Sequence, residues 1–162
     1  MEEKIFEKED ESYALWLLLI QTNKAIHLAR QEELSRIGIT VAEAGILYYA
    51  GRLGKKATPA EISRRLSKVS HGISALITRM ETQGLVKKVK DLDKKNLVRV
   101  ELTEKGRQIH QDAVKRETIR RIMSSLSVED SKKLTSCLKK LRKVSFGNIT
   151  LRKRLVYLGY EE

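Results

Sequence analysis

One proline, one cysteine, one tryptophan and two phenylalanines stand in 162 residues, and each scarcity excludes something. A lone Cys137 cannot close an intramolecular disulfide, which rules out a disulfide-stapled scaffold and suits a reducing cytoplasm. A single proline leaves long segments free to be helical. The apolar run Ala14 to Ile20 is too short to span a bilayer. Acidic residues crowd its N-terminal side, where a secretory signal carries positive charge, so a chain that is neither exported nor membrane-embedded is expected. Enzyme signatures are missing as well: there is no Gly-rich phosphate loop, no nucleophile elbow and no histidine pair of the zinc-hydrolase kind. The acidic pairs Glu32-Glu33 and Glu129-Asp130 are adjacent, so their carboxylates point to different sides of a helix. His27, His110 and Cys137 fall at no metal-ligand spacing, which points to structural roles. The reading is a protein with no catalysis, no cofactor and no metal.

Positive charge is abundant. The chain carries net +12, and the segment from Arg52 to Arg107 holds 15 Lys/Arg against 6 Asp/Glu, a net of +9. Charge alone fits nucleic acid, an anionic surface or a solvated face. The order of motifs in that segment has to decide between them.

From Ser12 to about Arg36 the pattern predicts one long helix whose apolar positions, Leu15, Leu18, Leu19, Ile26 and Ala29 among them, are too widely spread for one narrow stripe. Such a helix requires apolar partners on several sides, either its own core or a second subunit. Gly38 stops it. Thr40 with Glu43 three residues on forms a capping box for a helix over about Val41 to Tyr49, followed by a loop from Gly51 to Lys56. Thr58-Pro59-Ala60-Glu61 then starts a short helix, with Ile62 and Leu66 as its buried pair and Ser67 to Ser70 as a turn.

The next helix, Ser70 to Gln83, has the cleanest periodicity: Val69, Ile73, Leu76, Ile77 and Met80 recur at i, i+4, i+7, i+8 and i+11. Its outward face offers Ser70, His71, Ser74, Ala75 and Thr78, with Arg79 at the margin. After Gly84, the segments Leu85 to Val89 and Leu97 to Leu102 read as strands joined by a turn over Asp91 to Asn96. Thr103 caps a further long helix with Ile109, Ala113, Ile119 and Ile122 on its apolar side. Ser125 to Ser127 break it, and a last helix over about Val128 to Lys143 carries Leu134, Cys137, Leu138 and Leu141 on one face. Cys137 is therefore expected to be buried. The tail from Phe146 to Glu162 is apolar enough to dock, with no assigned role.

A capped helix, a turn, a second helix and a basic hairpin form a winged helix-turn-helix. At this point the chain resembles the MarR family of winged-helix regulators. The likeness rests on Thr58-Pro59-Ala60-Glu61-Ile62, the run Ile73 to Glu81, Gly84-Leu85-Val86, the wing turn Asp91-Leu92-Asp93-Lys94-Lys95, and Val98 to Gly106. It implies a mainly α fold with a small β-hairpin wing. It also implies a homodimer whose N- and C-terminal helices interlock, binding double-stranded DNA with two recognition helices in successive major grooves. Family members usually repress and release DNA when a small-molecule effector, often an aromatic acid, binds. On that pattern residues 1–37 and 107–162 serve dimerisation and residues 38–106 bind DNA, in one intertwined domain. Two departures stand out. Lys94 and Lys95 occupy a wing tip where the family often has arginine, whose flat guanidinium enters a narrow minor groove more readily. Ala75 replaces a long polar or basic residue; alanine can touch a thymine methyl but cannot read guanine.

The candidate DNA-binding residues are accordingly Arg64, Arg65, Lys68, Lys87, Lys88, Lys94, Lys95 and Arg99 toward phosphates, with Ser70, His71, Ser74, Thr78 and Arg79 toward base edges or backbone. Trp16, Tyr48 and Tyr49 line either an effector pocket or the core. The expectation is a cytoplasmic, dimeric transcription regulator, a repressor, on a pseudo-palindromic operator with half-sites about 10 bp apart. Two other classes remain open: a winged helix used for protein interaction, and an architectural, sequence-indifferent DNA binder.

Overall fold

The computed structural model describes residues 11–66, 70–90 and 97–147, without the side chains of Ser70 and His71. The N-terminal lead-in, the turn over residues 67–69 with Lys68 and Val69, the wing tip over residues 91–96 with Lys94 and Lys95, and the tail from residue 148 lie outside the described residues.

Among the described residues seven α-helices and a two-stranded antiparallel sheet follow one another as α1 (Glu11–Ser35), α2 (Val41–Leu53), α3 (Pro59–Arg65), α4 (Ser70–Thr82), β1 (Val86–Lys90), β2 (Val98–Leu102), α5 (Glu104–Ala113), α6 (Glu117–Met123) and α7 (Val128–Gly147). The fold is mainly α with a β-hairpin, as the sequence pattern requires. Helix starts are chemical events here. Thr40 accepts the Glu43 amide while the Glu43 carboxylate takes the Thr40 amide, a complete capping box. Thr58 accepts the Glu61 amide, with Pro59 in the first turn. The Thr103 hydroxyl accepts the Gly106 amide at 3.0 Å and donates to the Gly84 carbonyl at 2.6 Å, so one side chain caps α5 and anchors it to the end of α4.

The core is built from Ile46, Leu47 and Ala50 of α2, Ile62 of α3, Ile73, Ile77 and Met80 of α4, and Leu85, Val86 and Val100 of the hairpin. Leu34 of α1, Ile39 of the α1–α2 connection and Ala113 of α5 close it. Strand register pairs Val86 with Leu102 and Lys88 with Val100, and the Val100 amide also donates to the Ala57 carbonyl at 2.7 Å, binding the segment before α3 to the sheet.

Three sequence expectations are corrected. The segment from Gly51 is no loop: α2 runs on to Leu53 and a single 3-10 turn covers Gly54–Lys56. A Cβ at Gly51 would meet the Leu102 side chain at 3.4 Å, an ordinary van der Waals contact, and the helix runs through this glycine unstrained. The helix capped by Thr103 is not continuous; it breaks into α5 and α6 at Arg116, the one non-glycine residue with positive φ among the described residues. No proline or glycine marks that break. It is held from outside, by Arg30 Nη2 donating to the Ala113 carbonyl at 2.5 Å and by Glu33 accepting the Thr118 amide at 3.3 Å. Finally, Cys137 is exposed, because among the described residues α7 buries none of its side chains.

Most of α1 and α7 lies open in the same way. Leu15, Trp16, Leu18 and Leu28 on α1, and Leu134, Leu138, Leu141 and Val144 on α7, are exposed. Among the described residues no helix is long and apolar enough to cross a membrane.

Candidate nucleic-acid interface

Helix α4 buries Ile73, Ile77 and Met80, and its 3.6-residue period turns Ser74, Ala75, Thr78 and Arg79 outward, where all four are exposed. The basic strand β1 flanks this row. Lys88 reaches back from β1 to donate to the Thr78 hydroxyl at 2.8 Å, and its ammonium lies 3.2 Å from the Glu81 carboxylate. Glu81 also accepts the Lys88 amide at 2.8 Å. Those bonds, backbone first and then side chain, hold the Glu81 carboxyl below its ordinary value. The hairpin is thereby tied to the end of α4 by a residue whose function could not be read from spacing.

On α3, Arg64 and Arg65 both pair with Glu61, Arg65 at 2.9 Å. Glu61 thus turns toward the arginines instead of completing a capping box with Thr58. Lys87 pairs across the sheet with Glu101 at 3.2 Å. Arg99 lies opposite Val89 on β2 and is partly buried. The structure therefore brings Ser74, Thr78, Arg79, Lys87 and Lys88 around α4 and β1, with Arg64 and Arg65 on the preceding helix.

Glu43 is the residue whose second role escaped sequence reasoning. Its side chain is only 3% exposed, while Arg79, with which it pairs at 2.9 Å, is 57% exposed. One carboxylate oxygen accepts the Thr40 amide at 2.7 Å and the Thr40 hydroxyl at 2.8 Å; the other accepts Arg79 Nη2. Burial alone would raise this carboxyl, but the Thr40 bonds and then Arg79 outweigh it, so it sits below its ordinary value. The capping-box spacing reveals the first role; nothing local reveals a partner 36 residues away.

Between α1, α2 and α5 lies an open pocket of about 260 Å³ lined by Tyr48, Tyr49, Leu66 and His110 together with Arg30 and Arg116. Tyr48 and Tyr49 are half-buried there, whereas Trp16 is exposed and rests against Tyr13 on α1. Among the described residues no cluster of His, Cys, Asp and Glu could hold a metal ion.

A helix with a polar exposed face, packed on a second short capped helix and flanked by a basic hairpin, defines the winged-helix DNA-binding regulators. The comparisons agree. A family model described as MarR family matches residues 37–95. The organohalide-sensing transcriptional regulator RdhR-CbdbA1625, in its 2,4-dichlorophenol-bound form, is 30% identical, the match covering 93% of this chain and 90% of that one, with a TM-score of 0.79. A MarR family protein from Bacillus stearothermophilus is 26% identical over 86% of this chain and 98% of its own, with a TM-score of 0.67. A single-site mutant of MarR from E. coli complexed with operator DNA shares the fold, at 24% identity, 83% and 98% coverage and a TM-score of 0.72. No curated protein matches significantly by sequence. The chain belongs to the MarR family of DNA-binding transcription regulators.

Proposed function

We propose that the protein is a cytoplasmic, homodimeric repressor that binds a pseudo-palindromic operator and is released by a small-molecule effector. The observation that carries the reading is the exposed row Ser74, Ala75, Thr78 and Arg79 on α4 beside the lysine-rich β1. In this reading α4 enters the major groove, where Ser70, His71, Ser74, Thr78 and Arg79 meet base edges or the adjoining backbone. Arg64, Arg65, Lys68, Lys87, Lys88, Lys94, Lys95 and Arg99 neutralise phosphates, release counterions and set register.

The exposed apolar faces of α1 and α7 support dimerisation, since contiguous apolar surface of this kind marks an interface. Two-fold symmetry then sets the half-sites about 10 bp apart. The pocket beside Tyr48, Tyr49 and His110 suits a small aromatic molecule, with Arg116 able to meet a negative charge while Arg30 stays engaged by Glu33 and the Ala113 carbonyl. The organohalide-sensing relative with bound 2,4-dichlorophenol makes phenols the first compounds to try. An effector acts only through preferring one separation of the two DNA-reading lobes over another.

The test is fluorescence anisotropy of purified protein on its own upstream intergenic DNA at about 150 mM salt, against excess unrelated duplex. Tight binding at two chains per site that survives the competitor supports the reading. Equal displacement by any duplex favours an architectural binder, and no binding at low salt favours a protein-interaction module.

A further inference from the structure

The exposed surface of α4 contains one arginine, Arg79, and its head group is tethered to a buried carboxylate on another helix. We infer that Glu43 is a specificity-determining positioning residue, which fixes the Arg79 guanidinium for base reading without itself touching DNA. The inference rests on the DNA-reading role proposed for α4.

The physical argument is one of matched valence. Glu43 has two oxygens and two sets of donors: the amide and hydroxyl of Thr40 on one side, Arg79 Nη2 on the other. The carboxylate cannot turn without losing bonds that cap α2, so its free oxygen is a fixed acceptor. A guanidinium held at one nitrogen still has donors in a rigid fork to offer elsewhere. Holding it removes the rotamer freedom that an exposed arginine would otherwise lose on binding. Arginine that roams favours phosphates anywhere; arginine held in one geometry favours the base that matches it.

Glu43→Gln separates these ideas because an amide presents one acceptor oxygen and one NH2 group. Whichever way it faces, either Thr40 or Arg79 meets a donor, and retaining the cap releases Arg79. The probes are a duplex selected by the wild-type protein from a randomised pool and an unrelated duplex of equal length, both at about 150 mM salt. Glu43→Gln should lower the ratio of the two affinities about five- to tenfold. Its affinity for the unrelated duplex should hold or rise, since a negative charge has been removed. In an Arg79→Ala background the same change should move the ratio by less than about twofold, because the residue it acts through is gone. Wild-type ratios in Glu43→Gln, or additive losses in the double variant, overturn the inference. Equal loss on both duplexes, in step with a lowered melting temperature, marks a merely structural residue and overturns it too. A wild-type protein that selects no duplex sinks the DNA-reading role and the inference together. Should Glu43→Gln not fold, the arginine resonances of nitrogen-15-labelled wild-type protein decide: hindered rotation of the Arg79 head group is expected, and free rotation overturns the tether.

Discussion

Lys88 Nζ lies 2.8 Å from the Thr78 hydroxyl, joining the first wing strand to the exposed face of the recognition helix. Thr78 in turn donates to the Ser74 carbonyl at 3.1 Å, so its one hydroxyl proton is committed within the protein and a single lone pair stays open. Lys88, proposed above as a phosphate contact, has to share or give up that bond when it turns to DNA.

Lys88→Met tests the assignment. Its pair with Glu81 is solvent-accessible, and such pairs add little to stability, so the urea midpoint should barely move. Affinity should fall by a similar factor on every duplex, and the slope of log affinity against log salt should lessen by about 0.9. An unchanged slope would remove Lys88 from the set of phosphate contacts.

Gly106 is required by packing. A Cβ built there would lie 1.9 Å from the Leu85 carbonyl oxygen, a backbone atom that cannot swing aside. Gly106→Ala should destabilise the fold by about 2–3 kcal/mol in urea denaturation. Gly72→Ala on α4, with open space at its Cβ, should leave stability equal or raise it by up to about 1 kcal/mol.

The apolar face of α7 should decide oligomeric state. Leu138→Glu, or Leu141→Glu with it, should turn a dimer into a monomer in sedimentation equilibrium. Cys137 lies on the same stretch and supplies an internal reporter: its thiol should react slowly in the proposed dimer and quickly in the Leu138→Glu variant. Equal reactivity would place the interface elsewhere.

Acid should weaken the protein in two windows. Burial between α2 and α5, then the charge of Arg116, hold His110 below its ordinary value of 6.5. The folded state therefore resists its protonation. Its contribution is present above pH 6.5 and is lost as pH falls through the folded value. As pH falls below 6.5 the melting temperature should fall, and less so in His110→Gln. Glu33 and Glu43, both held below 4.5, add a second loss at lower pH.

Local chemistry settled much of this molecule in advance. Thr40, Thr58 and Thr103 announce three helix starts because a hydroxyl that caps an amide works through neighbours three residues away. The period of Ile73, Ile77 and Met80 determines which face of α4 goes inward and therefore which side chains, Ser74 and Thr78 among them, face out. Helix type, order, the inward face and the basic character of the hairpin were thus legible from residue types and spacing alone.

What tertiary structure decided came from contacts distant in the chain. Gly51 reads as the start of a loop, yet α2, packed against α5 and β2, carries on through it to Leu53. The α5–α6 break carries no local signal, since α1 imposes it through Arg30 and Glu33. Cys137 reads as buried because its neighbours are apolar, yet among the described residues nothing covers it on α7. Glu43 reads as a cap and is also the partner of Arg79. Sequence determines what each segment can form with its neighbours, because those interactions reach only a few residues. Which remote groups share a carboxylate, a carbonyl or an open face depends on how the helices pack, and only the folded chain decides it.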